Sequence, residues 1–361
     1  MRSPLRKVVV GLYYSPFCFS GRGEIAVLRH LTPFSASLRV LELQYAPSGS
    51  LSFESNGMQF AHVHTLTVRY KTRKIIGLRL DDLFIAFPNL RVLQLPIDEG
   101  RADIGDPDAD LDEEFNDEKL EVERASQLSR RRGRWPSLDR LICPVRWGYS
   151  SALPKVESWE RVHLDLQQDA LNRNKEIIQF RTLWGDLRPS HLDLMLDAIA
   201  AHTLNLLLKM DGITHLNVVL LRLDMLYEQG DYNWLRNFLD ATLTAISETF
   251  LGLSLLSIRL CDNELFRSKK SDAIDASVEA LDTWALVAPL AKSLPHLRHV
   301  VIRSRRGQQQ DVCWRITRGE VSKDVQVGGS GGVVAGSKLS ANEMLRVLEE
   351  TKFSSEVWSG L

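Results

Sequence analysis

Residues 80–96, LDDLFIAFPNLRVLQLP, most constrain what this chain can become. Leu80, Leu83, Phe84 and Phe87 recur at helical spacing up to Pro88, and Leu90, Leu93 and Leu95 then follow the pattern L-x-x-L-x-L. The first period gathers apolar groups on one side of a helix, and the second sets Leu93 and Leu95 on one side of a strand. A helix that stops before a proline and runs into a short strand is one repeat, which cannot bury its leucines alone.

Copies of the strand pattern recur along the chain. They begin at Leu38, Val63, Leu90, Leu138, Trp159, Pro189, Ile213, Leu255 and Leu297, in segments such as SLRVLEL, WPSLDRLICP, WERVHLDL and LPHLRHVVI. Most steps are 21 to 30 residues, and three longer ones accommodate insertions. Parallel strands joined by helices require such a rhythm, and none of these strands runs into the Gly-rich turn of a dinucleotide-binding unit. The expected fold is therefore α/β, an irregular leucine-rich repeat solenoid with strands on its concave face, helices on its convex face and caps at both ends. Residues 1–35 read as an irregular N-terminal cap, with a helical turn from Glu24 to Leu31. Residues 36–318 form the array, and 319–361 form a Gly-rich connection and a C-terminal helix that caps the open end.

Charge sharpens one boundary. Lys plus Arg (45) nearly balances Asp plus Glu (46), so no overall basic excess points to nucleic acid or an anionic membrane. Residues 98–123 nevertheless hold thirteen acids against Arg101 and Lys119, and five arginines follow by Arg134. The insertion 97–134 is expected to be charged and disordered, with a helix near Glu118 to Leu128. Four scattered cysteines without a C-x-x-C pair suggest neither a zinc knuckle nor a disulfide framework, and no window approaches a membrane span. A cytoplasmic or nuclear setting is expected.

No catalytic signature stands out, and no cofactor or metal is expected. The segment GGVVAGSK, residues 331–338, nearly has phosphate-loop spacing, but Ser337 and Lys338 are transposed and a capping box, Ser340 to Glu343, starts a helix just beyond. A nucleotide-binding or hydrolytic α/β protein using residues 328–338 is the alternative; a flexible connection is the primary reading. Within each strand, residues alternating with the leucines project to the concave side. They include Arg161, His163, Asp165, His191, Asp193, His215, Asn217, Arg259, His299 and Arg303, the expected partner-binding residues. His191 and His215 should be neighbours on adjacent strands. Trp147 and Tyr149, in VRWGYSS, read as exposed contacts.

The units FPNLRVLQL, WPSLDRL and LPHLRHVVI, their irregular spacing, the charged insertion and the strand DVCWRITR together resemble the leucine-rich repeat region of fungal F-box-like proteins, over roughly residues 36–318. That resemblance implies a non-enzymatic protein-interaction module that selects substrates for a cullin-RING ubiquitin ligase. Members place an F-box helix bundle before the repeats to dock a Skp-type adaptor. Residues 1–35 show neither its Leu-Pro-x-Glu start nor its three helices, so adaptor binding does not carry over. The expected partner is a protein, with a membrane or nucleic acid disfavoured.

Overall fold

The computed structural model describes residues 5–11, 25–46, 51–52, 59–70, 80–96, 117–129, 135–164, 170–207, 209–221, 223, 226, 233–261, 276–304, 311–319 and 334–351. The fold is α/β with mostly parallel strands. Two compact units are distinguished, residues 1–162 with 178–189, and residues 163–177 with 190–361.

In the first unit, β1 (Lys7–Gly11) is joined by β2 (Ile25–Ala26), α1 (Val27–Leu31) and a 3-10 turn to β3 (Val40–Ala46), beside which it lies in parallel register. After β4 (Leu51–Ser52), which pairs with β2, come β5 (Thr65–Tyr70), α2 (Leu80–Ala86), β6 (Val92–Gln94), α3 (Asp117–Ser129), β7 (Leu138–Ile142), α4 (Val145–Ser151) and β8 (Val156–Leu164). From β3 to β8, each main strand lies parallel to the next in chain order. The leucine triads explain this stacking. Leu41, Leu66, Leu93, Leu141 and Trp159 are matched across the sheet and fully buried. Burial of each side chain contributes about 2 kcal/mol.

A feature beyond the triads fixes the entry to six of the strands. Three residues before the triads that begin at Val63, Leu90, Leu138, Ile213, Leu253 and Leu297 stands a large apolar side chain: Phe60, Phe87 and Trp135 in this unit, Met210, Phe250 and Leu294 in the other, all buried. Phe60 packs on Phe87 at 5.9 Å between ring centres, and the Trp135 indole donates to the Phe87 carbonyl at 2.7 Å. Helix α2 is therefore stopped where the sequence expects, at Phe87-Pro88, and its terminal aromatic becomes a core residue. Asp81 and Asp82 in its first turn complement the positive end of the helix.

The second unit contains α5 (Ala170–Leu187) up to residue 177, then β9 (His191–Asp197), a 3-10 segment (Ala198–Leu207), β10 (His215–Leu221), α6 (Trp234–Thr249), β11 (Leu255–Leu260), α7 (Thr283–Ser293), β12 (His299–Ser304), β13 (Val312–Arg318), β14 (Val334–Lys338) and α8 (Ala341–Glu350). Strands β9 to β12 are parallel and consecutive; β13 and β14 continue the sheet antiparallel. Leu192, Leu216, Leu256 and Val300 are in register on the buried side, as are Leu194, Val218, Ile258 and Ile302. Arg318 donates to the carbonyls of Ala291, Leu294 and Leu297, at 3.0, 2.7 and 2.8 Å, satisfying acceptors at the end of α7.

Several expectations change. Lys7–Gly11 is a sheet strand, so an irregular cap does not describe it. The triad assigned to Leu255, Ile258 and Leu260 is instead Leu253, Leu256 and Ile258, because Leu256 and Ile258 match Leu216 and Val218. Leu255 consequently points to the other face. In β8 the triad begins at Val156, since Leu138 matches Val156 and Leu141 matches Trp159. Trp159 and Val162, three residues apart, are both fully buried, and the left-handed backbone of Arg161 (φ 52°) marks where the alternation slips.

Residues 334–338 form a strand, not a loop. Gly336 is required there by packing: a Cβ would lie 2.0 Å from the Trp284 ring. Trp147 and Tyr149 are buried, not exposed. Tyr149 instead anchors α3, donating to Glu121 at 2.5 Å beneath the Arg124 guanidinium, which is paired with Asp186. Burial, followed by the Glu121 carboxylate, pushes the Tyr149 phenol up to about 12. This contact holds the helix expected within the charged insertion; residues 97–116 and 130–134 lie outside the described residues.

Candidate functional site

In the second unit the residues alternating with the leucines share one sheet face and form ordered rows. His191, His215, Leu255, His299 and Arg315 make the first row; Asp193, Asn217, Ser257, Val301 and Cys313 make the second. The third row runs Met195, Val219, Arg259 and Arg303, its first two members apolar and buried. The structure thus brings together seven of the ten expected residues. His163, at the end of β8, falls in the second unit but is not in these rows, and Asp165 falls outside the described residues. Arg161 belongs to the first unit.

His191 and His215 are neighbours, as their strand positions require. Their rings stack at 4.3 Å and 7°. Each Nδ1 contacts the hydroxyl of the preceding residue, Ser190 or Thr214, at 2.8 Å, which fixes both rings in the same orientation. Burial, with the adjacent His191 second, lowers the His215 pKa to about 4. His215 therefore favours the neutral imidazole. Among the described residues no group of three or more His, Cys, Asp or Glu is arranged to hold a metal.

Behind the imidazoles the second row changes character across the sheet. Asn217 Nδ2 donates to Asp193 Oδ1 at 2.8 Å, and both residues are buried. Ser257 is next, then Val301 and Cys313, which are apolar and buried. Arg303 Nε contacts Asp311 at 3.2 Å, while Arg259 is half-buried. Burial leads the depression of the His299 pKa, reinforced by Arg315 and Arg298 and opposed by Glu350.

The apolar end of these rows has an occupant that the strand pattern does not reveal. Leu255, Val301 and Cys313 form one buried cluster with Leu339, Met344, Val347 and Leu348, so α8 packs on the face opposite the leucine triads. It does so through an i, i+3, i+4 stripe. Its start is fixed by the predicted capping box: the Glu343 N–H donates to Ser340 Oγ, and the Ser340 N–H donates to the Glu343 carboxylate at 3.0 Å. Bonds from Ser340 hold the Glu343 carboxyl below its usual range. Burial pushes the Cys313 thiol up to about 11.

Sequence reasoning overlooked Leu255, Val301, Cys313 and Arg315 as members of this face. The signal was available in HVVIR and VCWRITR, where apolar groups occupy positions that are polar on β9 and β10. An expected end cap therefore becomes a cover on part of the candidate site.

No helix among the described residues is long and apolar enough to cross a membrane. No family model and no curated protein sequence matches this chain.

Proposed function

We propose that this chain is a non-enzymatic protein-interaction module built on an irregular leucine-rich repeat array, and that it binds its partner through the polar face of the second unit. The observation that carries this reading is the ordered placement of His191, Asp193, His215, Asn217, Arg259, His299 and Arg303 on the side of the sheet that their leucines leave. A face serving only solubility needs scattered polar groups. Here buried hydrogen bonds and stacked rings fix donors and acceptors in place, the preorganisation that specific recognition favours. The partner is a protein presenting carboxylates and backbone carbonyls to the arginines and imidazoles. The resemblance to fungal F-box-like proteins makes substrate selection for a ubiquitin ligase the specific form of this role.

Affinity purification with mass spectrometry, using the wild-type chain beside Arg259→Glu, tests the assignment. A discrete partner set should be recovered by the wild type and lost by the variant at unchanged melting temperature. Scoring the recovered proteins for ligase adaptor subunits tests the specific form. Equal recovery by both chains would remove the site assignment.

A further inference from the structure

The seat of α8 defines what chemistry the covered part of this face accepts. Leu255, Val301 and Cys313 present an apolar strip across three adjacent strands, and Met344, Val347 and Leu348 fill it from one side of a helix. Charge accompanies shape. After the Ser340 bonds, Arg315 helps hold the Glu343 carboxyl low, and Glu350 opposes the lowering of the His299 pKa that burial leads. The occupant is thus an amphipathic helix with apolar groups at i, i+3 and i+4 and carboxylates at its margins.

Helix α8 is also weakly supported for an element covering a core. It is ten residues long, too short to be stable as an isolated helix, and is joined to the sheet through β14, which among the described residues pairs with β13 alone. Arg346, Glu349 and Glu350 on its remaining surface are exposed. Its position thus depends on one apolar stripe, a capping box and the Leu339 N–H just before it, which donates to the Cys313 carbonyl at 2.8 Å, whereas β11 and β12 are hydrogen-bonded on both sides.

We propose that α8 is a built-in, displaceable occupant of a helix-docking site, and that an acidic amphipathic helix of a partner protein binds this chain by taking its place on Leu255, Val301 and Cys313. The inference rests on the reading of this face as the interaction surface and adds how the surface is regulated. In the docked state the chain competes with its own partner, so apparent affinity is reduced by the fraction of molecules in which α8 is released.

The probe is a fluorescently labelled peptide of residues 339–351, titrated into the full chain and monitored by anisotropy. Leu348→Asp, which ejects the resident helix, should bind the peptide on the order of 10-fold more tightly than the wild type. Val301→Asp should bind no peptide. Hydrogen exchange of the wild type supplies the measurement that no variant's instability can obscure: α8 amides should exchange well ahead of those in β11 and β12. Equal peptide affinities for the wild type and Leu348→Asp, or α8 exchanging only with β11 and β12, would overturn the proposal. Neither measurement uses an outside partner. Failure of the Arg259→Glu experiment therefore leaves this result standing, and failure here leaves the uncovered His and Arg positions as the interaction surface.

Discussion

Each unit has a sheet face opposite its leucine triads, and the two faces are finished differently. On the first, Glu42 lies 3.6 Å from Lys7 and 3.3 Å from Arg69 and accepts from Gln44. Arg140 donates to Glu160, and Thr67 donates to Gln94. Val9 beside this network is 48% exposed. On the second, the matched rows pass from His, Asp and Asn to Leu255, Val301 and Cys313, and α8 buries that apolar end. The same repeat chemistry thus supports a face neutralised by ion pairs and a face neutralised by its own helix. Charges that find partners locally leave little surface demanding a cover; apolar groups at the corresponding positions require one.

The sharpest way to break this comparison is to place one charge on each face. Val301→Asp buries an unpaired carboxylate under α8 and should destabilise the second unit by about 3–5 kcal/mol in denaturant titration. Val9→Asp, on the exposed face, should remain within about 0.5 kcal/mol of the wild type. Comparable losses from the two would show that the faces do not differ as described.

Removing the cover instead of charging its seat should cost less. Leu348→Ala is expected to cost about 2 kcal/mol, with faster maleimide labelling of Cys313 but not of Cys143, which is buried in the first unit. Mass spectrometry of the labelled cysteines separates local opening from general unfolding.

The stacked histidines introduce a pH dependence that the first unit's ion pairs do not share. Because the His215 pKa is lowered from 6.5 to about 4, the unfolded chain takes up the proton first as pH falls. Stability from the neutral ring is complete above about 6.5 and is lost as pH drops towards 4, on the order of 1 kcal/mol for a ring this exposed. Substitution His215→Asn should flatten the thermal stability profile of the second unit between those limits. Equal slopes in variant and wild type would remove the stack as its cause.

The smallest effect belongs to the first face. Burial raises the Glu42 pKa, but Gln44, Arg69 and Lys7 together bring it below its ordinary value. Arg69, half-exposed, contributes one of several contacts, so Arg69→Gln should change stability by less than about 0.5 kcal/mol, and high salt should erase the difference.

Much of this architecture is legible in residues 80–96 and their copies. Spacing alone placed helix and strand in succession, paired consecutive strands, and put His191 beside His215, because a two-residue alternation leaves each side chain one choice of face. The capping box at Ser340 and Glu343 likewise announced where α8 begins. Register was harder. Leu255 and Leu256 are both leucines, and only pairing with His215 and Leu216 decides which belongs to the buried side. Trp147 and Tyr149 looked like exposed contacts because VRWGYSS is polar on average; both are buried, and α3, arriving from a charged stretch, covers Tyr149.

Local periodicity by itself determined the leucine-bearing parallel strands and their order within each unit, since each depends on spacing within a few residues; the strands Lys7–Gly11 and Val334–Lys338 and the helix Val145–Ser151 lack that spacing. Tertiary structure decided what lies on the other face. Val301 and Cys313 call for a cover, but nothing near them says which element supplies it, and the stripe Met344, Val347, Leu348 fits any apolar surface of suitable width. Their meeting across the hairpin of β13 and β14 turns a terminal helix into an occupant of the candidate site, because both surfaces lose apolar exposure only when they are brought together.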